Sequence, residues 1–135
     1  MSQLRKKLLN PNLRKRYGFT LIELLVVIAI IGILSVLVLA ALGTARKKAR
    51  ASSAKAKVQS IANGLEMYYD DNNSYPGSLN WGGSLVSGGT TYIGNLPQQQ
   101  EGDIRYEYSG GGTSYSLTVT QSGNTIFTCD PNGCR

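Results

Sequence analysis

Hydrophobic and polar positions divide this chain into stretches of three different periods. From Phe19 to Leu42 the run FTLIELLVVIAIIGILSVLVLAAL is apolar or small throughout, with Glu23 as its one charge. As a helix it would be about 36 Å long, more than the ~30 Å hydrocarbon core of a bilayer. It is apolar all round rather than along one stripe, and the rest of the chain is too small to surround it. A membrane-spanning helix is therefore predicted. Beyond it, Ala54, Val58, Ile61, Leu65 and Tyr68 recur at spacings of four and three, one apolar face of a second helical stretch. No proline interrupts 44–71, so the two patterns predict a single helix from about Thr20 to Asp71. Asp70-Asp71-Asn72-Asn73-Ser74 followed by Tyr75-Pro76-Gly77 ends it.

The period then changes to two. Ile104, Tyr106 and Tyr108 alternate along one predicted strand, Ile104–Ser109, and Tyr115, Leu117 and Val119 along the next, Ser114–Gln121. A third strand is predicted over Thr125–Cys129. Gly110-Gly111-Gly112-Thr113 and Ser122-Gly123-Asn124 separate the three as hairpin signals. Residues 77–103 are rich in Gly, Ser, Thr and Asn and read as a long surface connection with a short strand near 90–94. Trp81, Leu85, Tyr92 and Ile93 are its expected anchors. The predicted fold is α+β, a long N-terminal helix whose first half is transmembrane and whose second half packs on a small antiparallel β-meander.

Charge refines this picture. The formal net charge of +6 invites a nucleic-acid reading, yet 1–18 holds six basic groups and no acid, and 44–57 holds six more. Residues 58–135 carry two basic groups against seven acids, a head that would repel a phosphate backbone. Nucleic acid is not expected as a partner. There is no His, and the two Cys are five positions apart, so a hydrolase triad or an imidazole metal site cannot be assembled. No catalytic residue, metal or cofactor is expected. The acidic and amide cluster 70–74 lacks the Gly and distal Glu of an EF-hand loop. Basic groups flank the span on both sides in equal number, so the positive-inside count does not orient it. Cys129 and Cys134 do. They bracket Asp130-Pro131-Asn132-Gly133, turn chemistry that favours a disulfide, and disulfides persist outside the cytoplasm.

The junction Lys15-Arg16-Tyr17-Gly18-Phe19-Thr20-Leu21-Ile22-Glu23 resembles the class III signal of type IV pilins and type II secretion pseudopilins. The resemblance covers roughly 1–76. It implies a basic prepilin leader over 1–18 whose charges include Lys15 and Arg16, and a transmembrane and filament-core helix over 19–43. An amphipathic extension over 44–71 and a β-rich head over 72–135 would follow. It also implies that a prepilin peptidase cleaves after Gly18 on the cytoplasmic side and that Phe19 becomes the N-methylated first residue. The product would be a homopolymeric filament subunit that meets an inner-membrane assembly platform and membrane lipid. Before assembly it would be a single-pass protein of the cytoplasmic membrane with its C-terminus outside. Afterwards it would lie in an extracellular pilus or a periplasmic pseudopilus. Major pilin, minor pilin, secretion or DNA-uptake pseudopilin, and a tip adhesin or DNA-binding module remain open at this point.

Physical chemistry agrees with that signal. Gly18 lacks a Cβ and lets an enzyme approach the scissile carbonyl. A cut before the apolar run leaves the anchor in place. Glu23 at the edge of the hydrocarbon is costly unless paired, and the amine exposed at Phe19 is a counter-charge on the same or a neighbouring subunit. The alternative is a Glu23 that reaches the headgroups alone. Many type IV pilins have Pro at the place of Ala40; here that cause of a kink is missing, while Gly32 and Ser35 still offer a loose point. Arg46, Lys47, Lys48 and Arg50 either snorkel to anionic headgroups or meet the acids of a neighbouring head.

Overall fold

A computed structural model describes residues 18–135; the leader calls at Lys15 and Arg16 lie outside them. The chain divides into two units between Ala40 and Ala41. One helix, α1, runs Leu21–Asn72. In the first unit it contains no proline, and every described residue is exposed. Ser35 Oγ donates to Ile31 O at 2.7 Å, the back-bonding that lets a hydroxyl sit in an apolar helix.

In the second unit the apolar stripe of α1 is buried as its spacing predicts. Ala54, Val58, Ile61 and Leu65 are closed off from solvent, Tyr68 packs against them, and Ala62 and Gly64 join them. The helix ends where Asn73 takes φ 53°, the left-handed conformation that Asn tolerates, and its N–H reaches back to Tyr69 O at 2.8 Å. That sets the end one residue beyond the predicted Asp71.

Two antiparallel sheets complete this unit. β1 (Leu85–Ser87) and β2 (Thr90–Ile93) form a hairpin where the sequence suggested one strand in a long connection. Gly88 and Gly89, at φ 57° and 85°, make its two-residue turn. The larger sheet is a meander of β3 (Gln100–Glu101), β4 (Ile104–Gly111), β5 (Ser114–Gln121), β6 (Asn124–Asp130) and β7 (Gly133–Cys134). Its turns are tighter than expected. Gly110 and Gly111 belong to β4 and Asn124 to β6, which leaves Gly112-Thr113 and Ser122-Gly123 as the connecting pairs. Gly110 pairs with Tyr115, and glycine is needed there because a Cβ would meet the Tyr108 ring and, at 3.1 Å, Pro76 O. Ser122 and Gly123 both have positive φ, as a turn matched to strand twist requires.

The alternation predicted for the strands sets the core. Tyr106 lies opposite Val119 and Tyr108 opposite Leu117, with Ile104, Tyr115 and Cys129 on the same buried face. Of the expected anchors, Leu85 and Ile93 are buried and Trp81 and Tyr92 pack on the core edge. Leu79 and Leu96, which no periodic pattern marked, are buried with them. A bulge between Val119 and Thr120 shifts the pairing of β5 with β6.

Candidate functional site

The start of α1 carries the residues singled out by the sequence. Gly18 and Phe19 are outside the helix, Phe19 is 81% exposed, and a Cβ on Gly18 would meet nothing within 4 Å. Thr20 occupies the N-cap. Glu23, three residues on, closes a reciprocal pair with it. The Glu23 carboxylate accepts from the Thr20 backbone N–H and from the Thr20 hydroxyl, each at 2.9 Å. Glu23 N–H in turn donates to Thr20 Oγ1 at 3.2 Å. This is a capping box, and it satisfies donors that the first turn of any helix leaves open. Thr-x-x-Glu before an apolar run was visible in the sequence, and the reading of Glu23 as paired or alone missed it. In the uncut chain the Phe19 nitrogen is an amide, and the hydrogen bonds described for Glu23 go to Thr20.

Below this cap, an 18-residue window of α1 has mean hydropathy 3.2 with none of it buried. By length and composition α1 is able to cross a membrane, and among the described residues no other helix is present. Phe19, Leu21, Ile22 and the Leu, Ile and Val residues up to Leu42 form the exposed apolar surface. A surface of this kind needs lipid or other protein around it.

The basic cluster after the span behaves differently from both earlier readings at one member. Arg50 pairs with Asp103 of its own head at 3.2 Å. Gln121 Nε2 donates to Asp103 at 2.9 Å and to the Lys47 carbonyl at 3.1 Å. The Gln121 amide first and then Arg50 hold the Asp103 carboxyl below its usual range. Lys57 and Glu101 pair at 2.6 Å. These contacts tie the part of α1 beyond Ala41 to the strand ends, which neither headgroup snorkelling nor an intersubunit contact required.

The tyrosines serve packing and hydrogen bonding. Tyr75 donates to Glu66 at 3.0 Å, Tyr108 to the Pro76 carbonyl at 2.7 Å, and Tyr92 to Asp71 at 2.8 Å. Tyr69 stacks on Tyr75, whose ring leans on Tyr115. Burial pushes Tyr75, Tyr106 and Tyr108 up to about 12, with the Glu66 acceptor adding to the effect at Tyr75. The Asp/Asn cluster is used likewise: Asn72 Oδ1 accepts from Ser87, and Asn72 Nδ2 donates to Tyr68 O.

Cys129 and Cys134 form a disulfide. Cys129 is buried and faces Cys134 across β6 and β7. Asp130 Oδ1 accepts from Asn132 N–H at 2.8 Å inside the loop, and Arg135 pairs with Asp130 at 2.8 Å. The Asn132 N–H first and the Arg135 charge next lower the Asp130 carboxyl.

Comparison with known proteins divides the chain at nearly the same point as its structure. Residues 13–41 match the prokaryotic N-terminal methylation motif, and residues 41–124 match the type II secretion system protein G family. Similar proteins include the type II secretion system core protein G of Aeromonas hydrophila, 37% identical over 67% of this chain and 71% of the relative. The type IV wide pilus major component PilA4 of Thermus thermophilus is 36% identical over 85% of this chain and 81% of its own. The core protein G of Pectobacterium carotovorum is 34% identical over 88% and 78%.

Proposed function

This chain belongs to the type II secretion system protein G family, preceded by a prokaryotic N-terminal methylation motif, and from that premise we propose how it is processed and assembled. It is a structural subunit of a pilus-like filament, anchored by an apolar helix before assembly. A prepilin peptidase hydrolyses the Gly18–Phe19 amide on the cytoplasmic side, and the freed Phe19 amine is methylated. The junction suits that chemistry: it lies ahead of α1, unhindered at Gly18, with Phe19 exposed. The 1–18 leader, with Lys15 and Arg16, stays behind. The head lies outside the cytoplasm, where the Cys129–Cys134 disulfide is maintained.

One observation carries this reading. From Leu21 to Leu42 the helix surface is apolar and exposed on every side, with Glu23 alone carrying charge. In the bilayer, lipid covers that surface; in a filament, copies of the same helix do. Glu23 then draws the new Phe19 amine of an incoming subunit, because a desolvated opposite pair is weakly screened and an out-of-register one is penalised. The homopolymer is built at an inner-membrane assembly platform and becomes either a periplasmic pseudopilus or an extracellular pilus. The relatives are a type II secretion system core protein and a type IV wide pilus major component; the role proposed here is mechanical, with no catalytic residue, cofactor or metal.

Mass spectrometry of sheared or purified filaments tests the processing. The expected N-terminus is N-methylated Phe19, and any other terminus overturns the cleavage at Gly18. Glu23→Ala is expected to leave a processed, membrane-held subunit without filaments; normal filament yield would remove Glu23 from the assembly step.

A further inference from the structure

The outer face of the larger sheet is polar and carries an open depression of about 400 Å³. The strand period builds its floor. Arg105, Glu107 and Ser109 point outward from β4, alternating with Ile104, Tyr106 and Tyr108 on the core side. Ser116 and Thr118 point outward from β5, and the register sets Ser116 beside Ser109 and Thr118 beside Glu107. Gln99, whose carbonyl accepts from Tyr106 N–H at the edge of β4, lines it as well. So does Trp81, the single tryptophan of the chain. Its ring is held against Tyr106, with centroids 5.9 Å apart and planes inclined at 30°.

This lining selects among ligand chemistries. Arg105 Nε lies 3.1 Å from Glu107 Oε1, so the two charges offset each other. An anion meets Glu107 and a cation meets Arg105, and neither gains a net attraction. An alkyl chain would take water from the serine, threonine and glutamine groups and return no hydrogen bond. A neutral ligand rich in hydroxyls suits every group. A guanidinium has five N–H donors and a carboxylate two acceptor oxygens, more than one mutual contact uses, and a hydroxyl both donates and accepts. The indole adds an apolar ring beside this polar floor. A pyranose presents both chemistries at once, with hydroxyls around its rim and a C–H surface across its face. The volume also falls in the range of small-ligand sites, about 300–1,000 Å³.

We propose that this depression is a glycan-binding site, in which Trp81 stacks on the C–H face of a pyranose while Arg105, Glu107 and Gln99 bond its hydroxyls. Ser109, Ser116 and Thr118 form the floor on which the sugar rests. The occupant follows from the offset pair of charges, which favours a neutral ligand, and from the aromatic ring beside hydroxyl-bearing strands. Every lining residue belongs to one chain, so the site requires neither cleavage at Gly18 nor polymerisation. It goes beyond the filament reading and stands or falls apart from it. In a filament the site would repeat with each subunit, and weak single contacts would add to a strong multivalent hold on a long polysaccharide.

Because Trp81 is the sole tryptophan, its fluorescence reports on the site directly. The full chain, held in a detergent without a sugar headgroup, is titrated with chitotetraose in one arm and cellotetraose in the other. The two differ in the N-acetyl group, which separates an amino-sugar glycan of the cell-wall kind from a plain hexose polysaccharide. A saturable blue shift is expected as the stacked sugar excludes water from the indole, and the tighter arm identifies the source. Retention of the chain on chitin or cellulose beads is the second readout, independent of the fluorophore. Arg105→Ala is expected to weaken binding about ten-fold, the loss of a charge-assisted hydrogen bond. Ser116→Tyr fills the depression from an exposed strand position and is expected to weaken it at least as much, with the melting of the head unchanged. No saturable shift and no retention in either arm overturns the proposal. So does binding that both variants leave at the wild-type level, since the sugar would then sit elsewhere.

Discussion

The Glu23 carboxylate and Thr20 hold each other in a closed loop of hydrogen bonds, two at 2.9 Å and one returning at 3.2 Å. The same acid is thus the N3 member of a helix cap and the lone charge of an apolar segment. Any engagement with the Phe19 amine must trade against, or share with, the Thr20 donors. This relationship separates two variants that sequence alone would treat alike.

Thr20→Val removes the hydroxyl and keeps the backbone N–H, so Glu23 loses one of its two donors and keeps the other. The cost is that of a weakened cap, about 1 kcal/mol, or about five-fold in an equilibrium. Glu23→Ala removes the acid from the cap and from assembly together. Quantitative electron microscopy of filaments should show a several-fold reduction for Thr20→Val and near-complete loss for Glu23→Ala. Equal loss in both would make the cap, rather than the charge, the assembly determinant.

Much of the fold was legible because it rests on periodic signals. The run from Phe19, the stripe from Ala54 to Tyr68 and the alternation at Tyr106 and Leu117 each report a face to be buried or covered. The β1–β2 hairpin was not legible as a pair, since Leu85-Val86-Ser87 is too short to show a period and β2 is placed by the tertiary approach of Tyr92 and Ile93 to Gly64. Leu79 and Leu96 are buried by loop geometry, which no local pattern encodes. At the candidate site, Glu23 stood out as a charge in an apolar run. Its bond to Thr20 was equally present as Thr-x-x-Glu but was overshadowed by the expected amine. The Arg50–Asp103 pair spans 53 positions and depends on tertiary placement alone.

Gly64 sets two magnitudes against each other. Gly64→Ala should favour the helix by about 1 kcal/mol through propensity. A Cβ there, however, would lie 2.5 Å from Ile93 Cγ1 and 3.0 Å from Tyr92 O. The Ile93 side chain can rotate only within the core, and the Tyr92 carbonyl belongs to the backbone of β2. Overpacking of this kind costs about 1–3 kcal/mol, which outweighs the propensity gain. The expected result is a lower melting temperature of the full chain in detergent, with increased hydrogen exchange confined to 85–93. A variant as stable as the parent would show that β2 is free to move away from α1.

The disulfide makes an asymmetric prediction. Opening it by either Cys129→Ala or Cys134→Ala removes a short-loop constraint of roughly 2 kcal/mol on the chain-entropy estimate. Cys129 is fully buried and faces Leu117 across β5 and β6, whereas Cys134 is near the chain end and partly exposed. Losing the sulfur at 129 also leaves a small void, a further ~1 kcal/mol. Thermal melts should therefore rank wild type above Cys134→Ala and Cys134→Ala above Cys129→Ala. Reduction of the wild type should approach the Cys134→Ala value, and equal melting of the two variants would contradict the packing role of Cys129.

Stability should fall at both extremes of pH, for opposite reasons. Asp103 and Asp130 ionise more easily folded than unfolded, Asp103 chiefly through Gln121 and then Arg50, Asp130 chiefly through the Asn132 N–H. Their contribution is present above the ordinary value of 3.8 and is lost as pH drops through the lower folded values. Tyr75, Tyr106 and Tyr108 are the reverse case, with burial raising each from 10.0 to about 12. Their stabilisation is complete below pH 10 and disappears as pH climbs through 12, because the unfolded chain loses these protons first. Tyrosinate absorbance followed together with circular dichroism should show these three rings ionising only as the β-sheet signal collapses. Gln121→Ala should move only the acid limb, upward in pH, since it removes the main donor to Asp103 and touches none of the tyrosines. A shift in the alkaline limb instead would mean that Gln121 supports the sheet rather than the carboxylate.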